Sequence, residues 1–340
     1  MAQSDTLNGL KINGYAEFYY TYNFAQPDDH LLPEFIYNHN RHNEVNINLA
    51  FISAKYKTQN LRTNLSGMIG TYAQSNLSSE PIWAQFIFEA NAGIRLSKDN
   101  SWWLDVGIMP SHIGFESAIG ADCWTLTRSI MAENSPYYET GIKLGYESKN
   151  QKWSTSFLVL NGWQRVFRQV GHQSPSFGIQ VQYKPSSRWT INYSNFIGKV
   201  LTEIVKDGTR IFHNFYTIFT PNDRLSFIAG FDIGRDRYDK KSYGIWYAPI
   251  FIGRYTFSER YKMALRSENY TDPHNIIIST INSKYFETMG FSLNLDIHLN
   301  TNAVWRNEIK TFLSKYDIFA EGNRFTDSNL NFITVLAVRF

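Results

Sequence analysis

The sequence has one cysteine and no long apolar run. The single cysteine among its 340 residues, Cys123, excludes a disulfide framework and a cysteine-based zinc site. The longest mainly apolar stretch covers only residues 245–253, whereas a membrane-spanning helix needs about 20 such residues. The sequence therefore predicts no transmembrane helix.

Charged residues are also scarce, and their signs nearly balance. Lys and Arg number 33 against 30 Asp and Glu, and charged residues make up 19% of the chain, below the usual value of about 25%. A net charge of +3 without clustering does not indicate a nucleic-acid-binding face. No glycine loop that could hold a phosphate follows a predicted strand.

Aromatic residues are abundant instead. The chain has 25 Phe, 21 Tyr and 9 Trp, yet its mean hydropathy is only −0.35. This much ring surface excludes a disordered chain. Apolar and polar surfaces that alternate along the chain explain both values. Many rings lie near the ends of predicted strands, where a membrane barrel carries its aromatic girdles.

Apolar residues recur with a period of two in nearly every segment. Residues 289, 291, 293, 295 and 297, for example, are all apolar and alternate with polar neighbours. About sixteen such runs are present. They exceed the usual strand of about 5–6 residues and suit tilted membrane strands of about 9–11. The sequence predicts an all-β, closed, antiparallel, up-and-down transmembrane barrel of about sixteen strands, as a single domain over residues 1–340.

The connections between these runs are alternately short and long. Residues 57–60, 148–151 and 184–187 have the Asn, Ser and Pro chemistry of tight turns. The long connections are predicted at 23–43, 74–82, 110–137, 162–175, 197–209, 235–242, 271–284 and 314–328. This pattern indicates short periplasmic turns and long extracellular loops. Residues 1–9 are then a short periplasmic segment, typical of a mature N-terminus after signal-peptide removal.

Charged side chains occupy the faces opposite the lipid-facing rows. Those predicted to line the pore are Glu89, Asp105, Glu139, Lys143, Arg266, Glu268, Arg306, Glu308 and Lys310. Charges at membrane depth are costly unless they face a cavity or each other, and barrels of about sixteen strands leave an aqueous channel. The same residues could instead form a ladder of cross-strand salt bridges that holds the wall, and both interpretations stay open.

The connection 110–137 is the longest of all. Its apolar residues, among them Ile119, Trp124 and Ile130, predict an ordered, packed loop with a short helix at 125–132. We expect this third long loop to fold inward and narrow the pore. The alternative is an external loop that packs over neighbouring strands or a partner subunit. Its charged residues at the constriction are Asp122, Arg128 and Glu133.

Catalytic and metal-binding patterns are weak. His39 and His42 lie in the first long loop without carboxylate or cysteine partners, so a solvated loop is expected and no metal site. Ser292 and His298 share one strand face but lie about 20 Å apart in an extended chain, too far for a catalytic hydrogen bond. The sequence therefore predicts no enzyme, no catalytic residue and no cofactor.

Several short motifs carry a resemblance to a known family. They are Thr127-Arg128-Ser129 followed by Pro136 and Gly141, Asn161-Gly162-Trp163, Arg266-Ser267-Glu268 with Asp272, and Arg306-Asn307-Glu308. In these motifs the chain resembles the Bacteroidetes-type outer-membrane porins of the β-barrel porin-2, OmpL-like family. The glycine that usually follows the Asp of the Arg-x-Glu pattern is missing after Asp272, so this loop departs from the family. The last strand, ending at Phe340, resembles the assembly signal of outer-membrane proteins.

The resemblance implies an outer-membrane, channel-type barrel. We expect a porin-like channel for passive diffusion of small polar solutes or ions across a Gram-negative outer membrane, with mild ion selectivity. Size filtering would occur at the third long loop and electrostatic filtering at the charged wall. Expected partners are outer-membrane lipid, the solutes, and further copies of the chain or other outer-membrane proteins. Two alternatives remain: a closed or plugged barrel that docks in a larger complex, and, less favoured, a barrel hydrolase.

Overall fold

The computed structural model of the protein describes residues 9–99, 101–200, 208–237, 242–283 and 285–340. The predicted N-terminal segment lies outside the described residues except for its last residue, and so do residues 201–207 and 238–241 of the two predicted loops at 197–209 and 235–242.

Sixteen strands close into one antiparallel barrel, which confirms the predicted fold class and strand number. Each strand pairs with its neighbour in sequence, and the first and last strands join to close the ring. The barrel strands are β1 (Gly9–Asn23), β2 (Val45–Lys57), β3 (Leu61–Ile69), β4 (Ile87–Arg95), β5 (Trp102–Pro110), β6 (Tyr138–Glu147), β7 (Trp153–Leu160), β8 (Ser176–Ser186), β9 (Trp189–Val200), β10 (Gly208–Phe219), β11 (Leu225–Arg237), β12 (Tyr243–Thr256), β13 (Tyr261–Asp272), β14 (Phe286–His298), β15 (Ala303–Ser314) and β18 (Ser328–Arg339). A hairpin of β16 (Phe319–Glu321) and β17 (Arg324–Thr326) stands in the last long loop.

Apolar and polar residues that alternate in the sequence lie on the outer and inner faces of the barrel wall, respectively. On β14, Phe291 and Leu293 are 38% and 44% exposed and point outward. Asn294, which follows Leu293, is fully buried and points inward. A closed barrel leaves no backbone edge unpaired, so an apolar outer surface can face lipid along the whole circumference.

The interior is not uniformly polar, in contrast to the prediction of a water-lined inner face. On one side, inward-facing Phe212, Trp246 and Ile250 form a buried apolar core with the loop residues Phe35 and Ile130. This core arises because β12 carries apolar residues on both of its faces. The long loops on this side bury their own apolar residues inside the barrel instead of exposing them to water.

In the described part of the chain, helical structure is limited to short pieces: α1 (Thr71–Asn76), α2 (Ile130–Glu133) and two 3-10 helices at Ala84–Phe86 and Gly120–Asp122. Among the described residues, no helix is long and apolar enough to cross a membrane. The helix predicted at 125–132 was placed too early, because the backbone N–H groups of Leu126 and Thr127 donate to side chains of the wall. Helix α2 begins only after Ser129, whose hydroxyl accepts from Ala132 N.

The seam between β1 and β18 is tight. Gly14 and Phe340 exchange two backbone hydrogen bonds of 2.7 and 3.0 Å. A Cβ atom at Gly14 would lie 2.2 Å from the Phe340 ring, so only glycine lets that ring lie over the strand.

Candidate functional site

The third long loop, residues 110–137, lies against the inner wall. Its backbone donates hydrogen bonds to side chains that point inward from β13, β14 and β15. Ile130 N donates to Glu268 Oε2 at 2.6 Å, and Thr127 N donates to Glu308 Oε2 at 2.6 Å. Leu126 N donates to Asn294 Oδ1 at 2.9 Å. The loop is therefore held on this wall by hydrogen bonds that its own sequence does not reveal.

Basic side chains of the same wall hold the loop through its carbonyl groups. Arg306 donates to the carbonyl oxygens of Gly120 and Cys123 at 2.6 and 3.0 Å. Lys310 Nζ donates to Arg128 O at 2.9 Å. The five predicted pore-lining residues of β13 and β15 are at most 3% exposed: Arg266, Glu268, Arg306, Glu308 and Lys310. The structure places them beneath the loop, not along open water.

Ion pairs connect these wall charges to one another. Arg266 lies 3.0 Å from Glu308 and 3.3 Å from Glu268. Lys310 lies 3.4 Å from Glu268. Buried charges are tolerated when they are paired and hydrogen-bonded, and breaking such a pair costs more than the pair contributes. The cluster is thus arranged to keep both its own charges and the loop in place.

The three charged residues predicted for the constriction make structural contacts. Arg128 donates to Ser117 O and Ala118 O at 2.8 and 2.5 Å, and so ties the loop to itself. Glu133 accepts from Asn38 Nδ2 at 3.0 Å, and burial raises the pKa of its carboxyl group. Asp122 pairs with Arg339 on β18 at 2.5 Å. All three charges therefore have partners within the protein.

His112 anchors the beginning of the loop on other strands. Its Nδ1 lies 2.7 Å from Glu139 Oε2 on β6, and its Nε2 lies 2.7 Å from Asn195 O on β9. Burial alone would lower the pKa of this imidazole, but the Glu139 carboxylate raises it. Gly114 N, two residues on, donates to Asn214 Oδ1 on β10 at 3.2 Å. The loop thus crosses the barrel from β5 to β15.

Sequence reasoning missed His112, whose partners lie 27 and 83 residues away. Its only local mark is its position just after the end of β5.

The remaining predicted wall residues differ in their surroundings. Asp105 pairs with Arg62, whose Nε lies 2.6 Å from Asp105 Oδ1. Glu89 and Lys143 are partly exposed, and the described part of the chain offers neither of them an ion pair. Glu89 accepts a hydrogen bond of 2.6 Å from Asn64 Nδ2. Of the predicted wall residues, the two without an ion pair in the described structure therefore lie on β4 and β6.

Two cavities lie along this side of the barrel. The first, which we call the loop cavity, measures about 220 Å³ between the third long loop and β4–β6. Its lining includes Tyr72, Phe88, Glu89, Ser111, Glu116 and Tyr137. The second, the turn cavity, measures about 200 Å³ near the short turns. Its lining includes Arg62, Trp103, Lys143, Ser156 and Gln180. The two cavities occupy opposite ends of the same group of strands.

His39 and His42 of the first long loop are not solvated, so that expectation is wrong. His39 and His42 are 1% and 3% exposed. His39 Nε2 lies 3.2 Å from Glu17 Oε1 inside the barrel, and His42 Nδ1 accepts from Asn23 N at 2.9 Å. Burial lowers the pKa of both rings, although Glu17 opposes this for His39. Within the described ranges no three His, Cys, Asp or Glu side chains come together as metal ligands.

Comparisons with known proteins agree with this geometry. A family model described as putative β-barrel porin-2, OmpL-like, matches residues 9–340. The fold is similar to the outer membrane channel DcaP of Acinetobacter baumannii (TM-score 0.65, 10% identity, 100% of this chain and 99% of that chain). It is also similar to an anion-selective porin from Comamonas acidovorans (0.63, 8%, 98% and 100%) and to the trimer form of OmpT of Vibrio cholerae (0.62, 11%, 98% and 99%). Among curated proteins, none matches the sequence.

Proposed function

The chain belongs to the putative β-barrel porin-2, OmpL-like family, and on this premise we propose that small polar solutes cross its barrel along one side only. As a member of that family it is an outer-membrane, porin-type diffusion channel. The proposed passage follows β3–β8, between the wall and the third long loop. The observation that carries it is the pair of cavities at the two ends of these strands.

Loops fill the opposite side of the barrel. There the apolar core of Phe212, Trp246 and Ile250 packs against loop residues. A second apolar core around Tyr72 lies beside the proposed passage, so the choice rests on the polar side chains that stay accessible along β4 and β8. On these strands the inward side chains of Asn91, Gln180 and Gln182 are polar and only half-buried. Water and polar solutes partition to such a surface, since an apolar core offers no hydrogen bonds.

We propose two separate roles for the charged residues. The covered cluster on β13 and β15 anchors the third long loop and so sets the width of the passage. Glu89 and Lys143, which are not paired in the described structure, face the solute at the two cavities. One carboxylate and one ammonium group of opposite sign predict weak overall ion selectivity.

Single-channel recording in planar lipid bilayers tests the function. The refolded protein, shown to be folded by its heat-modifiable migration on gels, is expected to produce discrete conductance steps. A folded barrel that stays silent over the whole voltage range would contradict the proposal.

A plugged barrel that docks in a larger outer-membrane complex is the second candidate. The apolar core inside the barrel favours it, because a core of this kind serves stability and not conduction. The same recording separates the two functions: a silent but folded protein supports the docking role.

We further propose that the protein is not an enzyme and that it assembles into homo-oligomers. Asn294, which lies on the Ser292 face, hydrogen-bonds the third long loop and so serves structure there. For assembly, the support is the trimer form of OmpT of Vibrio cholerae, which has a similar fold. Absence of ester hydrolysis by the folded protein, and a detergent-corrected mass above one chain in light scattering, are the expected results.

A further inference from the structure

Five of the fifteen residues that line the loop cavity are aromatic, and none is basic. Besides the tyrosines and Phe88 named above, Phe115 and Tyr138 contribute to its surface, whereas Lys, Arg and His do not. The faces of aromatic rings carry partial negative charge. The cavity surface therefore favours a cation over an anion before any formal charge is considered.

Glu89 adds one formal negative charge. Its Oε2 accepts from Asn64 Nδ2 at 2.6 Å and from Asn91 Nδ2 at 3.4 Å. Among the described residues no donor reaches Oε1, and no cation pairs with the carboxylate. Glu116, the second carboxylate of the lining, is already occupied, since it accepts from Ser129 N at 3.1 Å and lies 3.7 Å from Arg266. Glu89 is thus the carboxylate that a ligand can reach.

The rings hold one another in fixed positions. Phe88 stacks on Phe51 with centroids 4.7 Å apart and planes 13° apart. Tyr72 meets Phe88 and Tyr137 at steep angles of 72°, with centroid distances of 6.4 and 5.7 Å. A rigid set of rings beside a carboxylate is the arrangement by which proteins bind alkylammonium groups.

The serine hydroxyl groups and the volume of the cavity argue against a sugar as the preferred ligand. Ser111 Oγ accepts from Ile113 N at 3.1 Å, and Ser117 Oγ accepts from Ile119 N at 3.0 Å. These groups therefore have less capacity left for sugar hydroxyls. The volume of about 220 Å³ is also smaller than that of usual drug-sized sites, about 300–1,000 Å³. The ligand has to be small.

We propose that the loop cavity binds a small organic cation, an amine or a quaternary ammonium compound, between Glu89 and the partly exposed ring of Phe88, against which the buried Tyr72 packs. The proposal rests on the channel function, whose solute class it names, but it concerns equilibrium binding. The cation loses water on entering the narrow space, and the ring faces and the carboxylate replace that water.

Calorimetric titration of the refolded full chain with choline tests the proposal. The matched control ligand is 3,3-dimethyl-1-butanol, which has the shape of choline without its charge. Choline is expected to bind at least about tenfold more tightly than this alcohol. Glu89→Gln is expected to weaken choline binding by about tenfold, and Phe88→Leu by about threefold. Glu44→Gln removes a carboxylate just before β2, outside the cavity, that pairs with Arg41, and should leave the affinity unchanged.

Heat-modifiable migration on gels shows which variants are folded. Equal affinity for choline and the alcohol, or unchanged choline affinity in both cavity variants, would overturn the proposal. Binding does not require current, so the two proposals fail separately. A conducting protein that does not bind choline refutes the cation site alone, and a silent protein that binds choline refutes the channel alone.

Discussion

Arg266 on β13 and Glu308 on β15 form an ion pair of 3.0 Å across β14, and both side chains hydrogen-bond Thr127 of the third long loop. Arg266 Nη2 donates to Thr127 Oγ1 at 2.9 Å, and Glu308 Oε2 accepts from Thr127 N at 2.6 Å. One pair of wall charges thus binds both the side chain and the backbone of a single loop residue. The loop position depends on this pair more than on any local helix.

Glu308→Gln should loosen the loop, because it leaves Arg266 with less compensating charge in a buried site. Breaking a buried ion pair costs about 3–5 kcal/mol, and part of this cost weakens the hydrogen bonds that hold the loop on the wall. Arg128, which is 0% exposed, should then become a cleavage site for trypsin in the folded protein. Glu321→Gln, which removes a carboxylate paired with Arg324 in the exposed β16–β17 hairpin, is the control and should stay resistant at Arg128. Equal resistance of the two variants would contradict the anchoring role.

Cys123 should be inert towards thiol reagents in the folded protein. Burial raises the pKa of its thiol to about 11, so almost no thiolate is present at pH 8. Its Sγ also donates to Ser117 O at 3.4 Å. We expect no labelling by a water-soluble disulfide reagent at pH 8 and one label per chain after denaturation. Rapid labelling of the folded barrel would show that the loop leaves the wall.

The ion pair of His112 with Glu139 should make stability depend on pH. Because the folded state raises the pKa of His112, its contribution is complete below the unfolded value of about 6.5 and is lost as the pH rises through the folded value. The difference in unfolding temperature between the wild type and His112→Gln should therefore be largest near pH 6 and shrink by pH 9. His30→Gln, at an exposed position, is the control. A difference that grows with pH would contradict this assignment.

The barrel could be predicted from the sequence because its wall depends on local alternation. On β14 the period of two is nearly perfect, and the structure follows it. The filling of the barrel could not be predicted in the same way. Ile250 and Trp246 can face inward only because loop residues from distant parts of the chain cover them. The sequence of β12 alone does not identify those residues. Apolar residues on both faces of β12 were the one indication.

In the candidate site, too, the sequence predicts the direction of the side chains but not the residues that cover them. The spacing of Glu308 and Arg306 on β15 predicts that both side chains point inward. It does not predict that the third long loop covers them, because the hydrogen bonds from β15 to that loop join residues about 180 positions apart. His39 was misplaced for the same reason, since its partner Glu17 lies on another element. Long-range pairing thus decides which charges meet water.

The most direct test of the central claim compares two cysteine variants in single-channel recordings. Ser111 lines the loop cavity on the proposed passage, whereas Ser292 points inward beneath the loop and is 5% exposed. A charged methanethiosulfonate reagent should reduce the current stepwise in Ser111→Cys and leave Ser292→Cys and the wild type unchanged. Reduction in Ser292→Cys but not in Ser111→Cys would place the passage on the opposite side of the barrel and contradict the account.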